Sequence, residues 1–232
     1  MKLKKIASLM LAGVMAVSML AGCNTASNGG NNGGEGEGEG TTTTGYSVAF
    51  GEKVEELNAN VKAMDYVTFA DNANDQAALE DALNNAGAWD ILGNTVSSKI
   101  ELLTVKGQAN IVNDFKDAAK LTRYGIGNGN FEDIFNNKNT LNRTTKVGEI
   151  FYVGGTVSVD KVLNQVADRL DSYFATLDKN GKIKDTTGNE VTFDFDYTIS
   201  VSVVNKTSDL IDWYNGSVNV IAVTVTRTAT AG

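Results

Sequence analysis

Val191, Phe193, Phe195, Tyr197, Ile199, Val201 and Val203 alternate without a break with Thr192, Asp194, Asp196, Thr198, Ser200 and Ser202. A period of two predicts a long β-strand with one face in a core and the other in water. A second strand is expected over 217–228, with Ile221, Val223 and Val225 inward and Asn219, Thr224 and Thr226 at polar positions. Val220 and Ile221 are both apolar, so the inward phase switches there, and a β-bulge is the expected cause. Shorter strands are expected over 100–105, 150–153 and 66–69.

Elsewhere the spacing changes to three and four. Val162, Leu163, Val166, Ala167, Leu170, Tyr173, Phe174 and Leu177 predict an amphipathic helix over 160–177, with Asp168, Arg169, Asp171 and Ser172 on its wet side. Ser158 or Asp160 is placed to cap its start. Val54, Leu57, Val61 and Met64 predict a helix over 52–64. Ala78, Leu79, Ala82 and Leu83 predict one over 75–85. Ile111, Val112, Phe115, Ala119 and Leu121 predict another over 108–124, stopped by a left-handed Gly125. Strands with one solvated face argue for antiparallel pairing. The expected fold class is therefore α+β: an antiparallel sheet with amphipathic helices packed on one face. Residues 46–232 are expected to form a single domain.

Upstream of that region the pattern fails. Residues 24–45 are Asn, Gly, Glu, Ser and Thr with almost no apolar side chain. Such a segment cannot offset its ordering entropy and is expected to be a flexible tether. Random-coil scaling gives it an end-to-end distance of ~25 Å.

Before the tether come Lys2, Lys4 and Lys5, an apolar run over 6–20, and Leu20-Ala21-Gly22-Cys23. This arrangement resembles a bacterial lipoprotein signal peptide closed by its lipobox. The resemblance covers residues 1–23 alone. It implies export, diacylglyceryl transfer to the Cys23 thiol, and cleavage between Gly22 and Cys23. An uncleaved spanning helix needs about 20 apolar residues, and the run falls short. A diacylglyceryl cysteine supplies two acyl chains, enough for stable attachment. The expected location is the extracytoplasmic face of the cell membrane, with the membrane itself as partner through the lipid.

Processing would remove three of the 20 basic residues and none of the 28 acidic ones, leaving a net charge of −11. That balance argues against nucleic acid, whose affinity rests on Lys and Arg at phosphates. The chain has no histidine and Cys23 is its sole cysteine. Histidine triads and bases, thiol nucleophiles, disulfides and ordinary zinc sites are thereby excluded from the mature chain. Carboxylate or Ser-Lys chemistry and oxygen-only metal binding remain open, but no cofactor, metal or catalytic residue is assigned.

Five constellations bear on chemistry. Asp178-Lys179-Asn180-Gly181 opens like a calcium loop, yet Gly181 comes too early and Glu190 one place late; Asn180-Gly181 reads as a turn. Gly125-Ile126-Gly127-Asn128-Gly129-Asn130 lacks the Gly-Lys-Ser/Thr of a phosphate loop and reads as a connector. Asp194 and Asp196 share a strand face without a third acidic neighbour, and adjacent Ser98 and Lys99 point apart. Asp212-Trp213-Tyr214-Asn215-Gly216 joins the two long strands and is the candidate ligand-binding segment. There aromatic rings would stack on sugar faces while Asp212 and Asn215 take hydroxyls; the competing reading buries Trp213 as a core plug. The function expected is a tethered binding or structural envelope module, with envelope or environmental glycans as candidate partners. The alternatives are a carboxylate-based glycan hydrolase or a solute-binding transporter component.

Overall fold

The computed structural model describes residues 45–86, 97–106, 108–127, 134–135, 140–207 and 216–232. Cys23, the tether up to residue 44, Asn128 to Asn130, and Asp212, Trp213, Tyr214 and Asn215 lie outside the described residues.

In chain order the elements are α1 Tyr46–Leu57, α2 Ala59–Lys62, β1 Val67–Phe69, α3 Ala73–Asn85, β2 Glu101–Leu102 and α4 Ala109–Ala118. There follow β3 Arg123–Tyr124, β4 Thr145–Gly154, α5 Val159–Phe174, β5 Asn180–Lys184, β6 Glu190–Thr207 and β7 Ser217–Ala231. Among the described residues the strands form one mixed sheet in the order β1-β6-β7-β4-β2, with β5 also on β6 and β3 also on β4. The β6-β7, β7-β4, β5-β6 and β2-β4 pairings are antiparallel, whereas β1-β6 and β3-β4 are parallel. The class is α+β, and the two short parallel pairings depart from the expected all-antiparallel sheet.

Helices do not cover one face of that sheet; they cover both. Phe151 and Val153 of β4, Ile221, Val223 and Val225 of β7, and Phe195 to Val203 at alternate positions of β6 share a core with α1 and α5. Ile150 and Tyr152 of β4 with Val218, Val220 and Ala222 of β7 share a second core with α3 and α4. Neighbouring residues of a strand point to opposite sides, so the two cores lie on opposite faces. This arrangement also removes the expected bulge. The β6-β7 register runs unbroken from Thr207 opposite Ser217 to Phe193 opposite Ala231. Val220 and Ile221 are simply both buried, one on each side.

The first core joins α5 to the alternating strand, as its apolar stripe requires. Phe50 of α1 sits between them, with edge-to-face contacts at 6.1 Å to both Phe69 and Phe174. Gly51 permits this approach, because a Cβ there would lie 2.5 Å from the Phe69 ring.

Both borders of the long strands are completed partly by side chains. Beyond β1 the Ser47 hydroxyl accepts from Val201 N–H at 2.8 Å, and the Gln76 side chain bonds both N–H and C=O of Val203 at 3.1 Å. On β4, the Tyr124 hydroxyl accepts from Ile150 N–H at 3.1 Å and Thr122 Oγ1 from Lys146 N–H at 3.1 Å. Edge groups left open would template pairing with another chain.

The strand expected over 100–105 is Glu101–Leu102 alone, that expected over 150–153 runs Thr145–Gly154, and three further stretches depart from the sequence expectation. The 52–64 helix begins earlier and breaks at Asn58, whose extended backbone ends α1 while its Oδ1 accepts from Asn60 N–H to cap α2. The 108–124 helix stops at Ala118. Lys120 takes the left-handed conformation (φ 57°), Leu121 N–H bonds Lys116 C=O at 2.9 Å, and Arg123 and Tyr124 become β3. Asn180 and Gly181 are strand, not turn. The β5-β6 reversal comes later, where Asp185 Oδ1 accepts from Thr187 N–H and Asn189 N–H at 2.8 and 2.9 Å and Gly188 has φ 88°. Gly181 is required because a Cβ would lie 2.8 Å from Phe195.

Candidate functional site

Asp75 stands in the first turn of α3, where carboxylates are common and usually wet, yet it is fully buried. Asn72 caps that helix by accepting from Asn74 N–H at 3.0 Å, which turns Asp75 inward toward the sheet. Its Oδ1 pairs with Lys146 Nζ from β4, and its Oδ2 accepts from Thr224 Oγ1 of β7 at 2.7 Å. An ion pair out of water loses hydration on both partners and persists only with excellent geometry and further hydrogen bonds. Thr224 supplies one of those bonds.

This pair forms the floor of a groove of about 580 Å³, a size typical of small-ligand sites. One wall is the start of α3 and the other the end of α4. The space exists because the residues facing each other there are small: Ala77 and Ala78 against Ala118 and Ala119. Further along the same helix pair, Leu79, Leu83, Ile111 and Phe115 fill the gap with core. The rim carries Asp81 and Lys120, and the sheet adds Thr226.

Two other buried polar groups stand apart from the groove. Glu149, 1% exposed, points from β4 into the first core; burial holds its carboxyl above the usual range, against the backbone N–H groups of Gly127 and Ile126 and the Arg169 charge. Its Oε2 has no hydrogen-bond partner among the described residues. Arg227 of β7 is fully buried, its guanidinium stacked on Phe195 at 4.6 Å and donating to the carbonyls of Phe135 and Thr140. No carboxylate pairs with it among the described residues. Loss of hydration lowers its pKa. Arg227 ties the chain near 135 and 140 to the sheet, a structural task.

Among the described residues, the sequence-predicted candidates are not brought to the groove. Asp194 and Asp196 sit on the exposed face of β6, opposite Thr230 and Thr228. Ser97 Oγ accepts from Lys99 N–H, an arrangement local to that stretch. Asp178 offers its carbonyl to the Tyr197 hydroxyl at 3.0 Å. Among the described residues no group of three or more acidic side chains is placed to hold a metal, and no helix is long and apolar enough to cross a membrane. No protein-family model matches the chain, and no curated protein or solved structure matches it either.

The groove was absent from the sequence reading. Its signals were the doublets Ala77-Ala78 and Ala118-Ala119, which leave two helices unable to close on each other. Chemically it suits binding better than bond cleavage. The Asp75 carboxylate has both oxygens engaged, which leaves Asp81 as the groove's other carboxylate among the described residues.

Proposed function

We propose that this chain is a lipid-anchored extracytoplasmic protein, held at the cell membrane by Cys23, whose folded unit is a non-catalytic binding module. The observation that carries the reading is Leu20-Ala21-Gly22-Cys23 behind a lysine-flanked apolar run, followed by a polar tether and a folded unit beginning near residue 45. Two acyl chains on the cysteine would hold the protein at the bilayer without any hydrophobic surface of its own. The groove beside Asp75 supports a binding role, since it offers charged and hydroxyl side chains around a rigid floor.

Hydrolysis of glycans is the weaker reading. It needs two carboxylates across one cleft, one of them free to carry a proton, and Asp75 is committed to Lys146 and Thr224. The anchor is tested by detergent-phase partitioning of the expressed chain against Cys23→Ala. The wild type should enter the detergent phase, and the variant should remain an unprocessed precursor. A variant cleaved at Gly22 like the wild type would sink the lipobox reading.

A further inference from the structure

Among the described residues, four charged side chains line the groove: Asp75, Asp81, Lys120 and Lys146. They play unequal parts. Asp75 and Lys146 neutralise each other in the floor. Asp81 and Lys120 make no ion pair and no side-chain hydrogen bond among the described residues, and both are exposed on the rim. Among the described residues the site therefore presents one available anion, one available cation and a charge-balanced base.

Lys120 occupies a backbone position that glycine would fill with less strain. It is the sole non-glycine residue with positive φ among the described residues, and it ends α4 where the chain turns left-handed. Local preference is set aside there at a residue that lines the groove. On the opposite wall Asn74, Ala77, Ala78 and Asp81 fall at helical spacing, so they form one stripe along α3. Seven residues of helix span about 10 Å, the length of a small ligand.

We infer that this groove is a binding site for a small zwitterion, an α-amino acid or short peptide, with Lys120 receiving its carboxylate and Asp81 its ammonium. The alanine methyls would accept a short apolar side chain, and Thr122 and Thr226 also line the groove. Among the described residues no aromatic side chain lines the groove, which disfavours sugars, since these dock by stacking on rings. Inorganic phosphate or a nucleotide would meet Asp81 and the Asp75 carboxylate. The inference rests on the proposed binding role and names its ligand class; it does not depend on the lipid.

The experiment is isothermal titration of the full chain in detergent with pools of free L-amino acids and of dipeptides, which separates the two sources. Each hit is then repeated as its amide and as its N-acetyl derivative. Wild type should bind the zwitterion and lose roughly ten- to a hundredfold in affinity for either blocked form, the worth of one hydrogen bond to a charged group. Lys120→Gly should no longer distinguish acid from amide, and Asp81→Asn should no longer distinguish amine from N-acetyl. Ala118→Leu, at an exposed position, should abolish binding by filling the space while leaving the far-ultraviolet spectrum unchanged. Saturable binding that ignores both blocking groups would overturn the inference, as would binding of none of these compounds by a folded protein. In either case membrane retention would persist, so the anchor reading would stand or fall separately.

Discussion

Gln76 bonds Val203 as a strand residue would: its Oε1 accepts from Val203 N–H and its Nε2 donates to Val203 C=O, both at 3.1 Å. One side chain from α3 thus finishes the border of β6 beyond the end of β1. Gln76→Leu keeps much of the volume but strands both backbone groups. An unsatisfied buried group costs about 1–3 kcal/mol, and partial burial puts the expected loss toward the lower end. Urea denaturation checks this, and a variant as stable as wild type would mean water serves the edge equally well.

The α5 stripe gives a second test. Leu170 is fully buried in the first core, so Leu170→Ala should destabilise by about 2–5 kcal/mol. Asp168 is exposed, and Asp168→Ala should change stability by less than about 0.5 kcal/mol. Asp171 is not a clean control, because it is half-buried and accepts from Asn58 Nδ2 at 3.3 Å. Similar melting shifts for Leu170→Ala and Asp168→Ala would contradict the packing.

Glu149 links stability to pH. Burial raises its folded-state pKa above the unfolded value, so the folded chain holds this proton more tightly. Its contribution is fully present below the ordinary glutamate range near 4.3 and is lost as pH rises through the raised value. Glu149→Gln should flatten the fall of stability with pH above that range. An unchanged profile in a folded variant would assign the dependence to other groups.

Lys120→Gly separates folding from binding. A left-handed non-glycine residue costs roughly 1–2 kcal/mol against the right-handed form, partly offset by the greater unfolded-state freedom of glycine. The variant should therefore melt higher by up to about 1 kcal/mol in stability while losing affinity for any ligand carboxylate. A lower melting temperature would mean that the Lys120 side chain supports the fold directly.

The segment carrying Asp212, Trp213, Tyr214 and Asn215 is testable by fluorescence in a Trp89→Phe background, which leaves Trp213 as the lone indole. Glycan contact predicts red-shifted emission that envelope oligosaccharides perturb. Blue-shifted emission that no glycan alters would make Trp213 a core side chain.

Much of the framework was legible in the chain itself. The 191–203 alternation became β6, and the α5 stripe was buried as its spacing demanded. What misled was burial on two sides. Val220 and Ile221 look like a slipped phase if one face is assumed wet, and a strand sandwiched between two helical layers has no wet face. Helix ends were misplaced where the stop was not glycine, at Asn58 and at Lys120. The groove was out of reach for another reason. Asp75 and Lys146 are 71 residues apart, and nothing local distinguishes a buried first-turn aspartate from a solvated one.

Lipid attachment at Cys23 is tested most directly by intact mass spectrometry of the protein extracted from membranes of its expressing cell. The expected species is a chain beginning at Cys23 that carries a diacylglyceryl group on that residue, with Cys23→Ala retaining residues 1–22. A mature chain without lipid, or one whose first residue lies anywhere but Cys23, would contradict it.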